Sequence, residues 1–252
     1  MDYIILLFVG VVVGAMNSIA GGGMLFGFPA MLAVGIPPII ANVTGHVAVL
    51  PGQIGALFGY RNYLKKISPL YLWLTLPLAA GAVIGANLLK NTSPDRFEDL
   101  IPILLFMAVG LFIIEPFLHF HIHAHLKSKK KSILMLTFIG LCLIPIAVYG
   151  GYFGVGFGFL LLAFLGLTTI SDIHRLNAIK NVGTFVIAIC TTLTLLNSGL
   201  INWHAALTMA IGCGIGGYYG ARLAQRFSSH AIRIAVICIG IVSVYYLFAR
   251  TY

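Results

Sequence analysis

The sequence predicts an all-α integral membrane protein that crosses the bilayer several times, and three observations lead to this prediction. Of its 252 residues, 60% are hydrophobic and only 8% are charged, whereas a soluble domain carries roughly 25% charged residues. Uncharged apolar runs recur from one end of the chain to the other. The remaining polar residues are too few to coat a soluble globule of this size.

Ten apolar segments follow one another along the chain, and a transmembrane helix needs about 20 such residues. The first has no basic residues before it and no clear cleavage site, which favours a retained helix over a signal peptide. Two short segments follow glycine clusters, so we expect half-helices there and about eight full transmembrane helices elsewhere. The segments are 3–20, 24–36, 38–60, 69–89, 100–118, 133–150, 157–169, 173–196, 204–224 and 231–249.

The chain divides into two homologous halves around one polar linker. We expect an N-terminal membrane repeat over residues 1–118, a basic, histidine-rich cytoplasmic linker over 119–132 and a C-terminal membrane repeat over 133–252. Chance matches between apolar residues are common, but one gapless shift of the sequence against itself also aligns two asparagine pairs and four glycine pairs. These are Asn42 with Asn177, Asn62 with Asn197, Gly21 with Gly156, Gly23 with Gly158, Gly81 with Gly216 and Gly85 with Gly220.

The charge distribution favours inverted repeats. The formal charge is +9, from 15 Lys and Arg against 6 Asp and Glu. Basic residues concentrate in cytoplasmic loops, so this excess indicates topology and not nucleic-acid binding. Inverted halves place eleven basic residues inside and three outside, whereas parallel halves give eight and six, with Lys180 left out because it lies within a span. Inverted repeats are a common transporter plan.

Glycine clusters interrupt one apolar segment in each half. Each glycine inside a helix costs roughly 1 kcal/mol, so these clusters predict unwound backbone, which membranes tolerate only inside protein or beside a cavity. A half-helix after each cluster would direct free N–H groups at that cavity. Close helix packing through small residues is the alternative. The glycines assigned to a substrate site are Gly21, Gly22, Gly23, Gly154, Gly156 and Gly158.

Polar side chains inside the spans complete the predicted substrate site. Lys180 has no acidic residue at comparable depth, so it either snorkels to the interface or pairs with a transported anion. His46 is the other titratable group deep in a span, and a packing role is favoured over a proton relay. The polar site residues are Asn17, Asn42, Thr44, His46, Gln53, Asn177, Lys180 and Asn181.

The linker contains four alternating histidines, at positions 119, 121, 123 and 125. On an extended strand their imidazoles would share one side and could bind a transition metal. A polar stretch beside the membrane is favoured, because lysines that suit anionic lipid headgroups follow directly.

Four stretches carry a family resemblance. They are GIPPIIANVTGHVAVLPGQIGAL after the first glycine cluster, GGYFGVGFGFLLL, LLNSGLINWHAAL and IGCGIGGYYGARLAQRFSSHAIRIAV. From Ile4 to about Phe248 the chain resembles the TauE/SafE sulfite exporter family. The resemblance implies a secondary transporter of sulfite, other sulfur oxyanions or organosulfonates. Gly45-His46 and Lys180-Asn181 depart from the family pattern inside the predicted site, which puts the identity of the anion in question.

The sequence therefore predicts a transporter of a small sulfur-containing anion that works by alternating access in the cytoplasmic membrane. Its expected partners are that anion and membrane lipids, with no cofactor and no metal, and a homodimer is compatible with the sequence. One alternative is a transition-metal permease that uses the linker histidines. The other is an intramembrane enzyme, but neither a convincing Ser/His dyad nor a HExxH motif nor clustered acids occur.

Overall fold

The computed structural model describes residues 2–19, 21–104, 106–107, 110, 133–165 and 172–223, and within them the chain is helical without strands. The predicted linker and the segment 231–249 lie outside the described residues. Helices are α1 (Asp2–Ile19), α2 (Met24–Ala33), α3 (Pro38–Gly59), α4 (Arg61–Leu64), α5 (Thr75–Lys90), α6 (94–104), α7 (Ile133–Tyr152), α8 (Phe157–Leu165), α9 (Ile173–Leu195) and α10 (Trp203–Leu223), and a 3₁₀ helix (Pro69–Leu74) leads into α5.

Three helical stretches in the described part of the chain are long and apolar enough to cross a membrane. They are Pro38–Gly59, Tyr71–Lys90 and His174–Leu195. Shorter apolar helices cover Tyr3–Ile19, Met24–Ala33 and Thr137–Tyr152. The all-helical prediction is therefore confirmed for the described residues, and α2 is short, as expected after the first glycine cluster.

The surface of the protein is apolar, and a group of polar side chains is buried within its largely apolar interior. Large apolar side chains cover the outside, and Phe8 and Phe138 are each 68% exposed. Amide, hydroxyl and ammonium groups lie inside, with Lys180 at 0% exposure. A lipid environment explains this arrangement, because hydrocarbon solvates an exposed phenyl ring but cannot solvate a polar group.

Local signals set the ends of the helices around the core. Gly35 has φ +82° and ends α2 in a Schellman motif, in which Ile36 N–H donates to Met31 O at 3.1 Å. Helix α3 begins at Pro38. Proline lacks a backbone N–H, but the first residue of a helix has no intrahelical acceptor for one, so proline is well tolerated there. Helix α9 begins after Asp172, whose carboxylate accepts from the backbone N–H of His174 at 2.9 Å. The starts of α3 and α9 are related by the same shift that aligns the two halves in sequence.

The helices of the two halves pack crosswise. Helix α1 packs along α10, and α7, which occupies the register of α1 in the second half, packs along α5. In the same way α3 contacts α10 and α9 contacts α5, while α3 and α9 contact each other at the centre. If the two halves are exchanged, the pair α1–α10 therefore corresponds to α7–α5, and the pair α3–α10 corresponds to α9–α5.

Glycines allow the crosswise pairs to approach closely. Gly10 and Gly14 of α1 face the backbone of α10, and Gly216 of α10 faces the backbone of α1. In the other pair, a Cβ on Gly81 would lie 2.7 Å from Ile144 O. Gly81 and Gly216 are repeat mates, so aligned glycines outside the two clusters serve close helix packing.

Replacing Gly216 should separate α1 from α10. An alanine Cβ there would meet Val11 O and would lie 2.9 Å from Ala15 N, so one backbone must move. Such overpacking typically costs about 1–3 kcal/mol. We expect Gly216→Ala to lower the unfolding temperature in detergent. Gly214→Ala on the same helix is the matched control, because its Cβ would lie 3.5 Å from Pro51 Cβ, an ordinary contact. Equal stability of the two variants would contradict this role for Gly216.

Candidate functional site

The chain leaves the helical conformation at both predicted glycine clusters. Three of the glycines there have positive φ: Gly21 at +96°, Gly154 at +71° and Gly156 at +77°. Residues with a Cβ rarely adopt such angles. Gly21 and Gly156 are repeat mates, so each half contains the same break, one between α1 and α2 and the other between α7 and α8.

The two breaks touch each other at the centre of the protein. A Cβ built on Gly21 would lie 2.8 Å from Gly158 Cα, and one built on Gly22 would meet the Phe159 ring. The Asn17 side chain spans the first break, because its Oδ1 accepts from Gly23 N–H at 2.7 Å. It thereby satisfies one of the N–H groups that the start of α2 leaves free.

The polar residues predicted to form the site are all buried. Together with them the interior holds four hydroxyl residues that sequence reasoning did not select. The predicted group is Asn17, Asn42, Thr44, His46, Gln53, Asn177, Lys180 and Asn181, and the additional residues are Ser18, Thr184, Thr191 and Thr192. Polar groups at membrane depth are costly and mark functional sites by default.

Donors from one half satisfy carbonyl groups at the break of the other half. Asn42 Nδ2 on α3 donates to Tyr152 O at the end of α7, at 2.8 Å. Lys180 Nζ on α9 donates to Asn17 O at the end of α1, at 2.7 Å. Asn17 and Tyr152 are repeat mates, so equivalent carbonyls are satisfied from opposite halves. A helix end leaves such carbonyls without an intrahelical partner.

A small cavity lies beside the two breaks, between α3 and the start of α8. Its polar wall consists of Asn17, Asn42, His46 and Gln53, and its apolar wall includes Phe153 and Phe157. The volume is about 10 Å³, room for about one water molecule. Any larger ligand would therefore require the walls to move.

Two polar atoms at this cavity have no hydrogen-bond partner. They are Asn42 Oδ1 and His46 Nε2. An unsatisfied buried polar group costs about 1–3 kcal/mol. A protonated His46 Nε2 can donate to a ligand oxygen, whereas Asn42 Oδ1 can accept from water or from a ligand O–H. The His46 ring also packs against the second break, since a Cβ on Gly154 would lie 2.6 Å from its Nε2.

The other predicted residues lie behind the cavity wall. Thr44 Oγ1 accepts from Asn202 N–H at 3.0 Å, and Asn181 Nδ2 donates to Ser18 O at 3.2 Å. Lys180 is completely buried, so it does not snorkel, and it does not line the cavity. Asn177 is also absent from the lining, and the remaining predicted glycines form the breaks themselves: Gly21, Gly22, Gly23, Gly156 and Gly158.

Of the four hydroxyl residues that the sequence did not single out, Thr184 bonds to the cavity wall, and the aromatic part of that wall was not predicted either. Thr184 Oγ1 donates to Gln53 Oε1 at 2.8 Å and so links α9 to α3. Thr184 lies one turn after Lys180 on the same face of α9, so helical spacing could have identified it. Phe153 and Phe157 gave no comparable signal, because phenylalanine is common throughout this chain.

The structure gives no support to a metal site in the part that it describes. No group of three or more His, Cys, Asp or Glu residues there is arranged to hold a metal ion. The linker histidines His119, His121, His123 and His125 lie outside the described residues.

Comparison with known proteins gives one family. The family model described as "Sulfite exporter TauE/SafE" matches residues 6–247. The chain is 30% identical to the "Probable membrane transporter protein ORF9" of Sinorhizobium sp, over 91% of this chain and 86% of that one. It is 27% identical to the "Probable membrane transporter protein YfcA" of Escherichia coli K12, over 94% and 86%. No solved structure matches significantly.

Substitution of Gly154 should disturb His46 as well as the backbone. Gly154→Ala would place a Cβ 2.5 Å from the His46 ring at a position with φ +71°. Gly199→Ala is the matched control, because Gly199 has φ +73° and no atom within 4 Å of a built Cβ. Both variants carry the backbone strain, but only Gly154→Ala adds the collision, for which we expect about 1–3 kcal/mol of further destabilisation. Equal unfolding temperatures of the two variants would show that the His46 ring moves aside without a measurable loss of stability.

Proposed function

Because the chain belongs to the TauE/SafE sulfite exporter family, we propose that this membrane transporter moves a small sulfur-containing anion across the cytoplasmic membrane by alternating access. Sulfite, a related oxyanion or a small sulfonate is the substrate class. The proposed substrate contacts are Asn17, Asn42, His46 and Gln53. The glycine breaks supply the unwound backbone that lets these side chains meet.

The chemistry of the cavity wall is the observation that supports an anion. Its polar groups are three amides and one imidazole, and none of the residues that line it is acidic. Amide N–H₂ groups and a histidine N–H donate hydrogen bonds to oxyanion oxygens. Hard cations such as Ca²⁺ and Mg²⁺ are bound in proteins chiefly by carboxylate and carbonyl oxygens. Because the wall lacks carboxylates, it favours an oxyanion over such a cation, and the free Oδ1 of Asn42 would accept from the O–H of a protonated oxyanion such as hydrogen sulfite.

The small volume of the cavity supports alternating access. Space for about one water molecule cannot hold an anion with three oxygens, so this conformation is closed around the site. Opening requires part of the wall to move, and Phe153 and Phe157 adjoin the second glycine break. Unwound segments next to a central site are the elements that inverted-repeat transporters use in this way.

Inverted orientation of the halves is part of the proposal. The eleven-to-three split of basic residues favours it, and the crosswise helix packing is compatible with it. Inversion would let the two breaks exchange roles when access alternates. In one state the first break would border the path to one side of the membrane, and in the other state the second break would border the path to the opposite side.

Cysteine accessibility tests the orientation. In a variant without the four native cysteines, we expect cysteines at positions 65 and 226 to react only from the cytoplasmic side. A cysteine at position 90 should react from outside and is the control for labelling of intact cells. Arg226 lies outside the described residues, so the experiment also locates that part of the chain. Labelling of position 226 from outside would show that the halves run in parallel.

Flux in proteoliposomes tests the substrate class. We expect saturable uptake of sulfite or a short alkylsulfonate, and no uptake of acetate or of a divalent metal ion. Asn42→Ala and His46→Ala should each reduce uptake at least about tenfold, because a hydrogen bond to a charged group contributes roughly 1.5–3 kcal/mol.

Asn87→Ala is the matched control for the flux experiment. Asn87 is exposed, and its Nδ2 donates to Val83 O within the same helix at 2.8 Å. Its loss should leave uptake unchanged. Metal uptake without anion uptake would instead support the permease alternative. Full anion uptake by both cavity variants would place the substrate elsewhere.

A further inference from the structure

We propose that the Lys180 ammonium occupies a site at the end of α1 that could otherwise bind a small monovalent cation. Because this ammonium is covalently attached to the chain, we call it a tethered cation. Free sodium, potassium or ammonium would fit the chemistry of this site if the lysine side chain were absent. The role of this ammonium in transport rests on the proposed function, whereas the existence of the cation site does not.

The position of the ammonium group is the first observation. Lys180 is 0% exposed, and its Nζ lies 2.7 Å from Asn17 O and 3.4 Å from Ser18 O. Both carbonyls belong to the last turn of α1, directly before the first glycine break. The C-terminal end of a helix carries a partial negative charge. Unwound backbone and half-helix ends of this kind coordinate the coupling cation in inverted-repeat transporters.

Unpartnered oxygens on α9 are the second observation. Asn181 is fully buried and donates to Ser18 O, the same carbonyl that Lys180 contacts, yet its Oδ1 has no partner. Asn177 lies one turn earlier on the same face, and its buried Oδ1 also has no partner. The two recorded partners of the ammonium are neutral carbonyl oxygens, and two unpartnered amide oxygens lie on the same face of α9. Neutral oxygens of this kind suit a monovalent cation.

The charge of Lys180 has no acidic counterpart in the described structure. The one ion pair recorded there joins Arg175, in the first turn of α9, to Asp172, which directly precedes this helix. A buried cation therefore relies on neutral oxygens alone. An ion from solution could leave such a site, whereas a side chain cannot. Tethering keeps the positive charge in the interior through every step of a transport cycle.

The repeat shows that the second half differs from the first at this position. The shift that aligns Asn42 with Asn177 also places Lys180 on Gly45 and Asn181 on His46. Gly45 and His46 line the cavity, whose polar wall comes from the first half. Lys180 and Asn181 take their places in the second half and do not line it. The first half thus supplies the polar wall of the proposed anion site, and the second half supplies the fixed positive charge.

Asn17 connects the two sites. Its main-chain oxygen accepts from Lys180, its Oδ1 accepts from Gly23 N–H, and its side chain borders the cavity. Lys180 is therefore a positioning residue that acts on the substrate through Asn17 and the first break. One consequence is that transport by the natural protein needs no free sodium or potassium.

Thermal unfolding in detergent tests the cation site without any transport. Lys180→Ala should unfold roughly 5–10 °C below the natural protein in N-methylglucamine chloride, where no small cation is present. Ammonium, methylammonium, sodium or potassium chloride should restore the lost stability in a saturable way. The natural protein should not distinguish these salts. Lys180→Met, which keeps most of the side-chain volume, is the control that no salt should rescue.

Several results would overturn the cation site. One is a Lys180→Ala protein as stable as the natural one in N-methylglucamine chloride. Another is a Lys180→Ala protein that no small cation stabilises. A Lys180→Ala protein that does not fold in any of these salts would count against the site in the same way. Equal rescue of Lys180→Met would show a general salt effect instead of a specific site.

Flux measurements test the role in transport. Replacing all sodium and potassium by N-methylglucamine should leave anion uptake by the natural protein unchanged, whereas Lys180→Ala should transport only with a small cation present. An absolute sodium requirement of the natural protein would overturn the tethered role. If neither protein moves any anion while the thermal rescue is observed, the proposed function fails and the cation site stands.

Discussion

Main-chain groups freed inside a membrane must find partners within the protein, and the rest of this structure depends on that constraint. Each glycine break ends a helix and exposes carbonyls that lipid cannot solvate. Asn42 and Lys180 supply the missing donors, each from the half opposite to the carbonyl that it satisfies. Each break is therefore stabilised by the opposite half, through α3 and α9, which also contact each other.

The same constraint explains why polar side chains concentrate on two helices. Helices α3 and α9 pass beside both breaks, so their inward faces carry amides, hydroxyls, an imidazole and an ammonium. The outward faces of the bundle are apolar because they meet lipid. Glycines on α1, α5 and α10 then let the outer helices approach closely enough to enclose this polar interior without large gaps.

The halves share a backbone plan but have diverged in chemistry. Both contain a positive-φ glycine at the equivalent position, Gly21 or Gly156, because the chain must turn in the same way. Side chains beside the turn differ: Gly45 and His46 border a cavity, whereas Lys180 and Asn181 donate to backbone carbonyls. The first half therefore supplies the polar wall of the cavity, while side chains of the second half stabilise the end of α1 at the first break.

The sequence by itself determined the membrane class, the two glycine breaks and the approximate limits of most described helices, because composition, apolar run length and the cost of glycine in a helix act locally along the chain. One helix begins at residue 94, six residues before the predicted segment, because its first turn is polar and carries no apolar signal. The sequence also identified the buried amides, Thr44, the imidazole and the ammonium, but not the other buried hydroxyl residues. Only the tertiary structure decided which of them share the cavity: His46 and Gln53 line it, whereas the ammonium of Lys180 turns to Asn17 O. That choice depends on which carbonyls lie nearest after two halves, far apart in sequence, have packed together, and no local pattern encodes such a distance.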